Sequence, residues 1–288
     1  MKIGVFATFM SPQCTPHFIA DFGRRAESAG LDSIWMGEHV VLFDRTEFPY
    51  PGSRDGKLPV PEGGGMLDTV ATFGFLAAAT KTIRFGTGIA LISQRNPVYT
   101  AKEFTTLDWL SGGRIDFGIG VGWCKEEVLA SGYRWEDRGA RSDEFLELVK
   151  LLWTQPLASY AGEHFQLAPC RLDPKPVQKP HLPILVGGHS PAAFRRAARY
   201  GSGWYGFAIG PEQTAEALKR LDKALAAEGR TRDRFEIVIT PPYRVSDDML
   251  RAFAALGVDR VVAQLGSQKP DAVADKLKEL ERFVRVAA

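Results

Sequence analysis

Short strand-like runs alternate with helical patterns along almost the whole chain, and this alternation limits the possible folds more than any other feature. It is typical of a parallel sheet, and eight strand–helix units within roughly 250 residues is the number found in a closed barrel. The sequence therefore predicts an α/β protein with a single (β/α)8 TIM barrel domain over residues 1–288. The predicted strands are 2–8, 33–37, 83–91, 115–121, 183–186, 203–207, 235–240 and 260–264, and the predicted helices are 16–29, 68–79, 97–111, 141–153, 191–200, 211–227, 247–255 and 270–284.

An open, doubly wound sheet is the competing architecture for the same alternation. Its dinucleotide fingerprint, G-x-G-x-x-G, fails here because Gly118-x-Gly120 is followed by Trp123 where the third glycine would stand. Two segments are too long for a minimal barrel and are predicted as loop insertions: 38–67 after the second strand, and 157–182, with a short hairpin, before the fifth.

Composition excludes several classes of function. The formal charge of +2 comes from 36 basic and 34 acidic residues without a basic block, which argues against a nucleic-acid partner. Three scattered cysteines fit neither a disulfide framework nor a zinc site, so we expect no metal and a reducing, cytoplasmic location. No signal peptide or membrane-spanning run is present in the sequence, and no membrane partner is expected.

The segment 84–123 holds the clearest local signals, those of a βαβ unit. Asn96 and Pro97 predict the start of its helix, and Gly112-Gly113 predicts the end. The second strand of this unit runs into glycines at 118, 120 and 122, where bare backbone can approach a ligand closely. We therefore expect the edge of a binding site there.

Barrel enzymes carry their chemistry at the carboxyl ends of the strands, so the residues that follow each apolar run are the candidates. Glu38 and His39 follow the second run: His39 suits proton transfer and Glu38 could orient it, with a hydrogen-bonded structural histidine as the alternative. Gly88-Ile89 would by base rate be an ordinary bulge. Gly187 to Ser190 precede a helix start and predict a phosphate site, with a plain capped turn as the alternative.

Other polar residues give weaker signals. Arg95, Arg138 and Arg141 could meet an acidic ligand, but arginines in such positions are more often solvent-facing ion pairs, and that is the prediction here. Lys125 and Glu126 are the nearest lysine and carboxylate for non-redox barrel chemistry, and neither is well placed after a strand. Trp123 is a candidate for a pocket wall because it follows the glycine loop.

Three runs carry a family resemblance: AESAGLDSIWMGEH at 26–39, NP…TTLDWLSGGR…GIGVGW between 96 and 123, and GGHSPAAFRRAARYGSGW at 187–204. They resemble the luciferase-like flavin and deazaflavin oxidoreductases, most closely the branch that uses coenzyme F420. The resemblance implies that His39 and Glu38 line the cofactor ring and that a bulge at Gly88 and Ile89, with a cis peptide bond, backs that ring. It further implies that the cofactor phosphate binds at Gly187, Gly188, His189 and Ser190, with the loop Gly120, Val121, Gly122 and Trp123 in support.

The resemblance leaves two redox functions open. In the first, F420 exchanges hydride with a small organic substrate; in the second, reduced FMN from a partner flavin reductase reacts with oxygen in a monooxygenase. The compact motif and Gly88 favour F420 slightly. A lyase or isomerase that binds a phosphorylated substrate at 187–190 is the alternative of another class. Similar proteins commonly dimerise through barrel helices, so a homodimer is expected.

Overall fold

The computed structural model describes residues 1–51, 53, 55–61, 63–242 and 244–287, and Gly52, Arg54 and Glu62 of the predicted first insertion lie outside the described residues. Thirteen strands and nine α-helices are present in the described part of the chain. The strands are β1 Lys2–Phe6, β2 Met10–Ser11, β3 Ser33–Met36, β4 Gly65–Met66, β5 Arg84–Thr87, β6 Ala90–Leu91, β7 Ile115–Gly120, β8 Ala158–Ala161, β9 Gln166–Cys170, β10 Ile184–Gly187, β11 Gly203–Phe207, β12 Glu236–Thr240 and β13 Arg260–Gln264. The helices are α1 Pro16–Ser28, α2 Thr69–Ala79, α3 Pro97–Ser111, α4 Lys125–Ala130, α5 Arg138–Thr154, α6 Pro191–Tyr200, α7 Pro211–Ala227, α8 Asp247–Ala255 and α9 Pro270–Ala287.

Eight parallel strands close into a barrel, which confirms the predicted fold. Following hydrogen-bonded neighbours, the order is β1, β3, β5, β7, β10, β11, β12 and β13, and β13 pairs again with β1. The third barrel strand is interrupted after Thr87, and its continuation, β6, pairs with β7 at Ile119 and Gly120. The interruption places residues 88 and 89 at the carboxyl end of the barrel.

The ends of α3 lie where the sequence predicts them. The Asn96 side chain accepts hydrogen bonds from the amides of Val98 and Tyr99, Pro97 occupies the first turn, and Gly112 ends the helix with a left-handed φ of 71°. Such caps satisfy amides and carbonyls that a helix end leaves without partners, so local sequence alone fixes these bounds.

Two apolar layers hold the barrel together. A large cluster joins the outer faces of the strands to the helices. A smaller one contains only strand residues and segment 88–89, and it fills the barrel interior with Trp35, Leu185, Tyr205, Val238 and Val262, against which Phe6, Ile89 and Phe207 pack. Burying this surface supplies most of the favourable free energy of folding.

The amino end of the barrel is closed by buried charges. Arg260, the first residue of β13, pairs with Asp116 at 2.6 Å, Glu236 at 2.8 Å and Asp32 at 3.1 Å. Arg84 donates two further bonds to Asp116 from its Nε at 3.1 and 3.2 Å. This end therefore stabilises the fold, which leaves the opposite end for chemistry.

The two segments predicted as insertions contain their own short strands. In the described part of 38–67, β4 pairs antiparallel with β2. In 157–182, β8 and β9 form an antiparallel hairpin, and the following chain is tied to α3 by Asp108, whose carboxylate accepts bonds from the amides of Val177 and Gln178. No helix among the described residues is long and apolar enough to cross a membrane.

Candidate functional site

The side chain of Ile89 brings three of the predicted site segments into contact. A Cβ on Gly120 would lie 1.9 Å from Ile89 Cδ1, and a Cβ on Gly187 would lie 2.9 Å from Ile89 Cγ2. Side chains at those two positions would collide with Ile89, so both glycines are needed to seat it between β7 and β10. Segments 88–89, 120–123 and 187–190 therefore meet at the carboxyl end of the barrel.

Aromatic side chains lie directly beneath Gly88. A Cβ on Gly88 would be 2.9 Å from Tyr205 Oη and 3.0 Å from the ring of Phe6. Tyr205 stacks on Trp35 with ring centroids 5.2 Å apart, and its hydroxyl lies 2.7 Å from Thr240 Oγ1. Burial raises the pKa of Tyr205 far above its usual range, so this hydroxyl stays protonated. The Gly88–Ile89 peptide bond is cis.

His39 lies at the same end of the barrel and contacts a buried carboxylate. Its Nδ1 is 2.7 Å from Glu127 Oε2, and the side chains of His39 and Glu127 are 11% and 1% exposed. In the tautomer that carries its hydrogen on Nδ1, the ring donates to Glu127 and Nε2 keeps a free lone pair. The arrangement can accept or donate a proton at Nε2.

Two aromatic side chains pack around His39. The ring centroids of Trp123 and Tyr50 lie 5.8 and 6.4 Å from that of His39, and 5.5 Å from each other. Trp123 Nε1 is buried and has no acceptor among the described residues. A buried N–H without an acceptor is costly, so this donor suits an oxygen or nitrogen acceptor on a bound molecule. Trp123 thus joins segment 120–123 to His39.

Glu38 does not orient His39, contrary to the expectation from its position in the sequence. Its carboxylate accepts hydrogen bonds from the Leu91 amide at 2.7 Å and from Arg95 Nε at 2.9 Å. Arg95 also binds Glu103 at 2.9 Å. Glu38 therefore ties β6 and the start of α3 to the end of β3, and the carboxylate that contacts His39 is Glu127.

The prediction that the loop arginines face solvent is wrong for Arg95 and Arg141. The Arg95 side chain is 14% exposed because the carboxylates of Glu38 and Glu103 surround it. The Arg141 side chain is 5% exposed, pairs with Asp137 and donates to the Ser93 carbonyl at 2.9 Å. Both side chains stabilise the segment that follows β6.

The segment 187–190 presents the amino end of α6. Gly188, His189 and Ser190 are exposed, and Ser190 Oγ accepts a bond from the Ala193 amide at 3.1 Å. Gly188 has a φ of +107°, and its carbonyl accepts a bond from Trp204 Nε1 at 2.9 Å. Desolvation of the His189 ring on the side that packs against Trp204, and next the charge of Arg220, lower the pKa of His189, which favours its neutral form. Exposed amides at a helix start can bind an anion such as phosphate.

A family model described as luciferase-like monooxygenase matches residues 1–284. The chain belongs to the luciferase-like monooxygenase family.

Two relatives and one solved structure illustrate the similarity to this luciferase-like chain. An uncharacterised protein of Mycobacterium tuberculosis is 33% identical over 260 residues, which cover 89% of this chain and 90% of that protein. An F420-dependent glucose-6-phosphate dehydrogenase of Amycolatopsis mediterranei is 28% identical over 208 residues, which cover 71% of this chain and 56% of that protein. The structure of an F420-dependent secondary alcohol dehydrogenase in complex with an F420-acetone adduct has the same fold, with a TM-score of 0.80, 18% identity and coverage of 100% and 99%.

Sequence reasoning missed the short helix α4 of this luciferase-like barrel. Lys125 Nζ pairs with Glu47 at 2.6 Å, and Glu126 accepts a bond from the Glu47 amide at 2.8 Å, so the first turn of α4 holds the loop after β3. Glu127, in the same turn, adds a bond from the Val40 amide at 2.9 Å. Two adjacent acidic residues, Glu126 and Glu127, a few positions after the glycine loop are a helix-start signal that could have revealed α4.

Other regions of the described chain offer less for chemistry. Two open surface depressions lie along α9 and on the β8–β9 hairpin, away from His39. Among residues 1–51, 53, 55–61, 63–242 and 244–287, no group of three or more His, Cys, Asp or Glu side chains could hold a metal ion. The candidate site is therefore the cluster of segments 38–39, 88–89, 120–123 and 187–190 with Glu127.

Proposed function

We propose that this chain is an oxidoreductase that uses coenzyme F420 to transfer hydride to or from a small organic substrate. The observation that carries the proposal is the pairing of His39 with the buried Glu127, next to the segments that Ile89 brings together. This arrangement puts a proton-transfer group beside a surface suited to a phosphate-bearing ring system.

The residues present fit such a cofactor. Gly88 and Ile89 lie above a floor of aromatic side chains and are our candidates for contact with the ring. The exposed helix start at Gly187, Gly188, His189 and Ser190 is the candidate for the phosphate, with Gly120, Val121, Gly122 and Trp123 beside it. The unpartnered N–H of Trp123 is free to bind an oxygen of the cofactor or the substrate.

His39 is the candidate catalytic residue. F420, when bound, accepts or supplies the hydride. During oxidation of an alcohol, His39 Nε2 accepts the hydroxyl proton, and in the reverse direction the protonated ring returns a proton to the carbonyl oxygen. Glu38 contributes by fixing the strand end that carries His39, because its carboxylate is occupied by Arg95 and the Leu91 amide.

The comparisons support F420 over the alternatives without deciding the substrate. F420 is in the name of the glucose-6-phosphate dehydrogenase relative and of the alcohol dehydrogenase with the same fold. The family description names monooxygenases, which keeps FMN as the competing cofactor. A non-redox reaction is less favoured because Lys125 and Glu126 are engaged in holding Glu47.

A cofactor titration followed by turnover tests the proposal. F420 and FMN are titrated separately against the wild type and His39→Ala, and anaerobic turnover of F420 is measured with 2-propanol and with glucose 6-phosphate. We expect uptake of F420 by both proteins, and a loss of roughly 10²–10⁴-fold in turnover for the variant, the usual contribution of a positioned base.

Three results would contradict parts of this assignment. Uptake of FMN without F420 would favour a monooxygenase, and uptake of neither would remove the redox function. Unchanged turnover in His39→Ala would remove His39 from the catalytic residues.

A further inference from the structure

We propose that Glu127 is a positioning residue that fixes the tautomer and the orientation of the His39 ring. Its carboxylate would keep the hydrogen on Nδ1, so that Nε2 alone exchanges the proton with the substrate. The inference rests on the proposed function only in taking His39 as the proton-transfer group.

Both carboxylate oxygens of Glu127 have hydrogen-bond partners, which fix the orientation of the group. Its two oxygens bind two consecutive residues: Oε2 lies 2.7 Å from His39 Nδ1, and Oε1 accepts the Val40 amide at 2.9 Å. The side chain is 1% exposed and belongs to the first turn of α4. Two bonds from adjacent residues fix both the place and the rotation of the imidazole, since the ring cannot turn without losing its bond to Oε2.

Charge supports the same role. No lysine or arginine pairs with Glu127 within the described part of the chain, whereas Glu38, the other buried carboxylate nearby, is paired with Arg95. A buried carboxylate without a cation stabilises a positive charge that forms beside it. When His39 accepts the proton, the resulting imidazolium is paired with Glu127 at once.

The proposed proton transfer to His39 is part of the oxidation of an alcohol to a carbonyl compound. The substrate O–H bond breaks and its proton goes to His39 Nε2, and F420, when bound, would take up the hydride released from the C–H bond, which leaves a carbonyl product. Glu127 neither gains nor loses an atom. Its effect is therefore expected in kcat, with little change in the binding of substrate or cofactor.

Glu126 offers a matched control. It is the neighbouring residue of the same helix turn, and it also holds the loop after β3, through the Glu47 amide at 2.8 Å. It is not among the hydrogen-bond partners of His39 in the described structure. Glu126→Gln therefore removes a carboxylate charge from this helix turn without touching His39, and Glu127→Gln removes the carboxylate that contacts His39.

The experiment compares Glu127→Gln, Glu127→Asp and Glu126→Gln with the wild type. We expect Glu127→Gln to lower kcat by about 100-fold, the lower end of what a positioned base contributes, with F420 affinity and substrate KM within about threefold. Glu127→Asp keeps the charge and should restore part of kcat. Glu126→Gln should keep kcat near the wild-type value.

The ring tautomer provides a readout that needs no turnover. Nitrogen-15 NMR of the cofactor-free wild type, with the His39 signal assigned by its loss in His39→Ala, should show the hydrogen on Nδ1. Glu127→Gln should move His39 toward a tautomer mixture. A Nε2–H tautomer in the wild type would overturn the inference, even if Glu127→Gln fails to fold.

Equal kcat in Glu127→Gln and Glu126→Gln would also overturn it, because both variants would then report only the loss of a negative charge from this helix turn. Failure of the proposed function looks different. In that case the wild type has no F420 turnover, while the tautomer and its dependence on Glu127 are still measured.

Discussion

Replacing Arg260 with methionine should destabilise the barrel at its amino end without altering the candidate site. Arg260 is buried and contacts Asp32, Asp116 and Glu236 through three different nitrogens at 3.1, 2.6 and 2.8 Å. Methionine fills part of the volume but leaves these carboxylates without their shared cation. Asp116 keeps Arg84 and Asp32 keeps Lys2 at 3.8 Å, so the largest penalty falls on Glu236.

The size of the effect follows from the burial of the network. Removing one partner of a buried ion pair costs about 3–5 kcal/mol, because the remaining charge is left uncompensated. For a domain of this size, 1 kcal/mol corresponds to a shift in Tm of roughly 2–4 °C, so Tm should fall by about 6–20 °C. Arg282→Met is the matched control: its pair with Asp247 is exposed to solvent, so its loss should change Tm very little.

The loss of stability in Arg260→Met should also change with pH in a defined direction. Burial raises the pKa of Glu236, and Arg260 opposes that rise, so the variant should raise it further. A carboxyl whose folded pKa is raised destabilises the fold when ionised and loses that penalty as pH falls. The difference in Tm between Arg260→Met and the wild type should therefore shrink between pH 7.5 and pH 5 in scanning calorimetry. A loss no larger than that of Arg282→Met, or a difference that grows on acidification, would refute the reasoning.

Three further changes give shorter predictions. Gly120→Ala puts a methyl group 1.9 Å from Ile89 Cδ1, so the free energy of unfolding in urea should fall by about 1–3 kcal/mol and F420 should bind more weakly. Unchanged F420 uptake would contradict the candidate site. Ser190→Ala removes the N-cap of α6, so it should lower the free energy of unfolding by about 0.5–2 kcal/mol and also weaken F420 binding. Ser246→Ala, which removes the equivalent cap of α8, should lower stability without changing F420 binding. Although desolvation opposes it, hydrogen bonds from the amides of residues 81–83 lower the pKa of Glu27 to about 2. The ionised Glu27 therefore stabilises the fold above about pH 4–5, and this contribution is lost as the pH falls toward 2. Glu27→Gln should flatten the pH dependence of urea unfolding between these values, and an unchanged pH dependence would exclude the effect.

The elements that the sequence predicted well are those whose ends are fixed by neighbouring residues. Asn96 and Ser190 cap amides three residues or fewer away, and Gly112 supplies a left-handed φ at the helix end. These interactions are complete within a few positions of the chain. The alternation of strands and helices then leaves the closed barrel as the arrangement that buries every strand on both faces.

The partners inside the site could not be predicted in the same way. Glu127 meets His39 across 88 positions, and Glu38 meets Arg95 across 57. The side chains of Glu38 and His39 point in different directions at the end of β3, because successive side chains of an extended chain alternate in direction. The sequence could therefore not identify the carboxylate that contacts His39, since only the folded chain brings α4 to the end of β3.

The most recognisable residues of the family motif serve the scaffold. Asp108 fixes the chain before β10 through Val177 and Gln178, and Arg114 donates to the carbonyls of Ala77, Ile83 and Ser111. These contacts join α2, α3 and the segments beside them, and none involves the atoms around His39.

A barrel can keep these scaffold contacts while its site changes, because the loop after β3 and helix α4 pack on the opposite end of the strands. This separation explains why the motif identifies the family without naming the substrate. We expect substrate discrimination to depend on Tyr50 and Trp123, whose rings surround His39. Substitutions there should change substrate preference with little loss of stability, whereas substitutions at Asp108 or Arg114 should do the reverse, since they leave buried polar groups without partners.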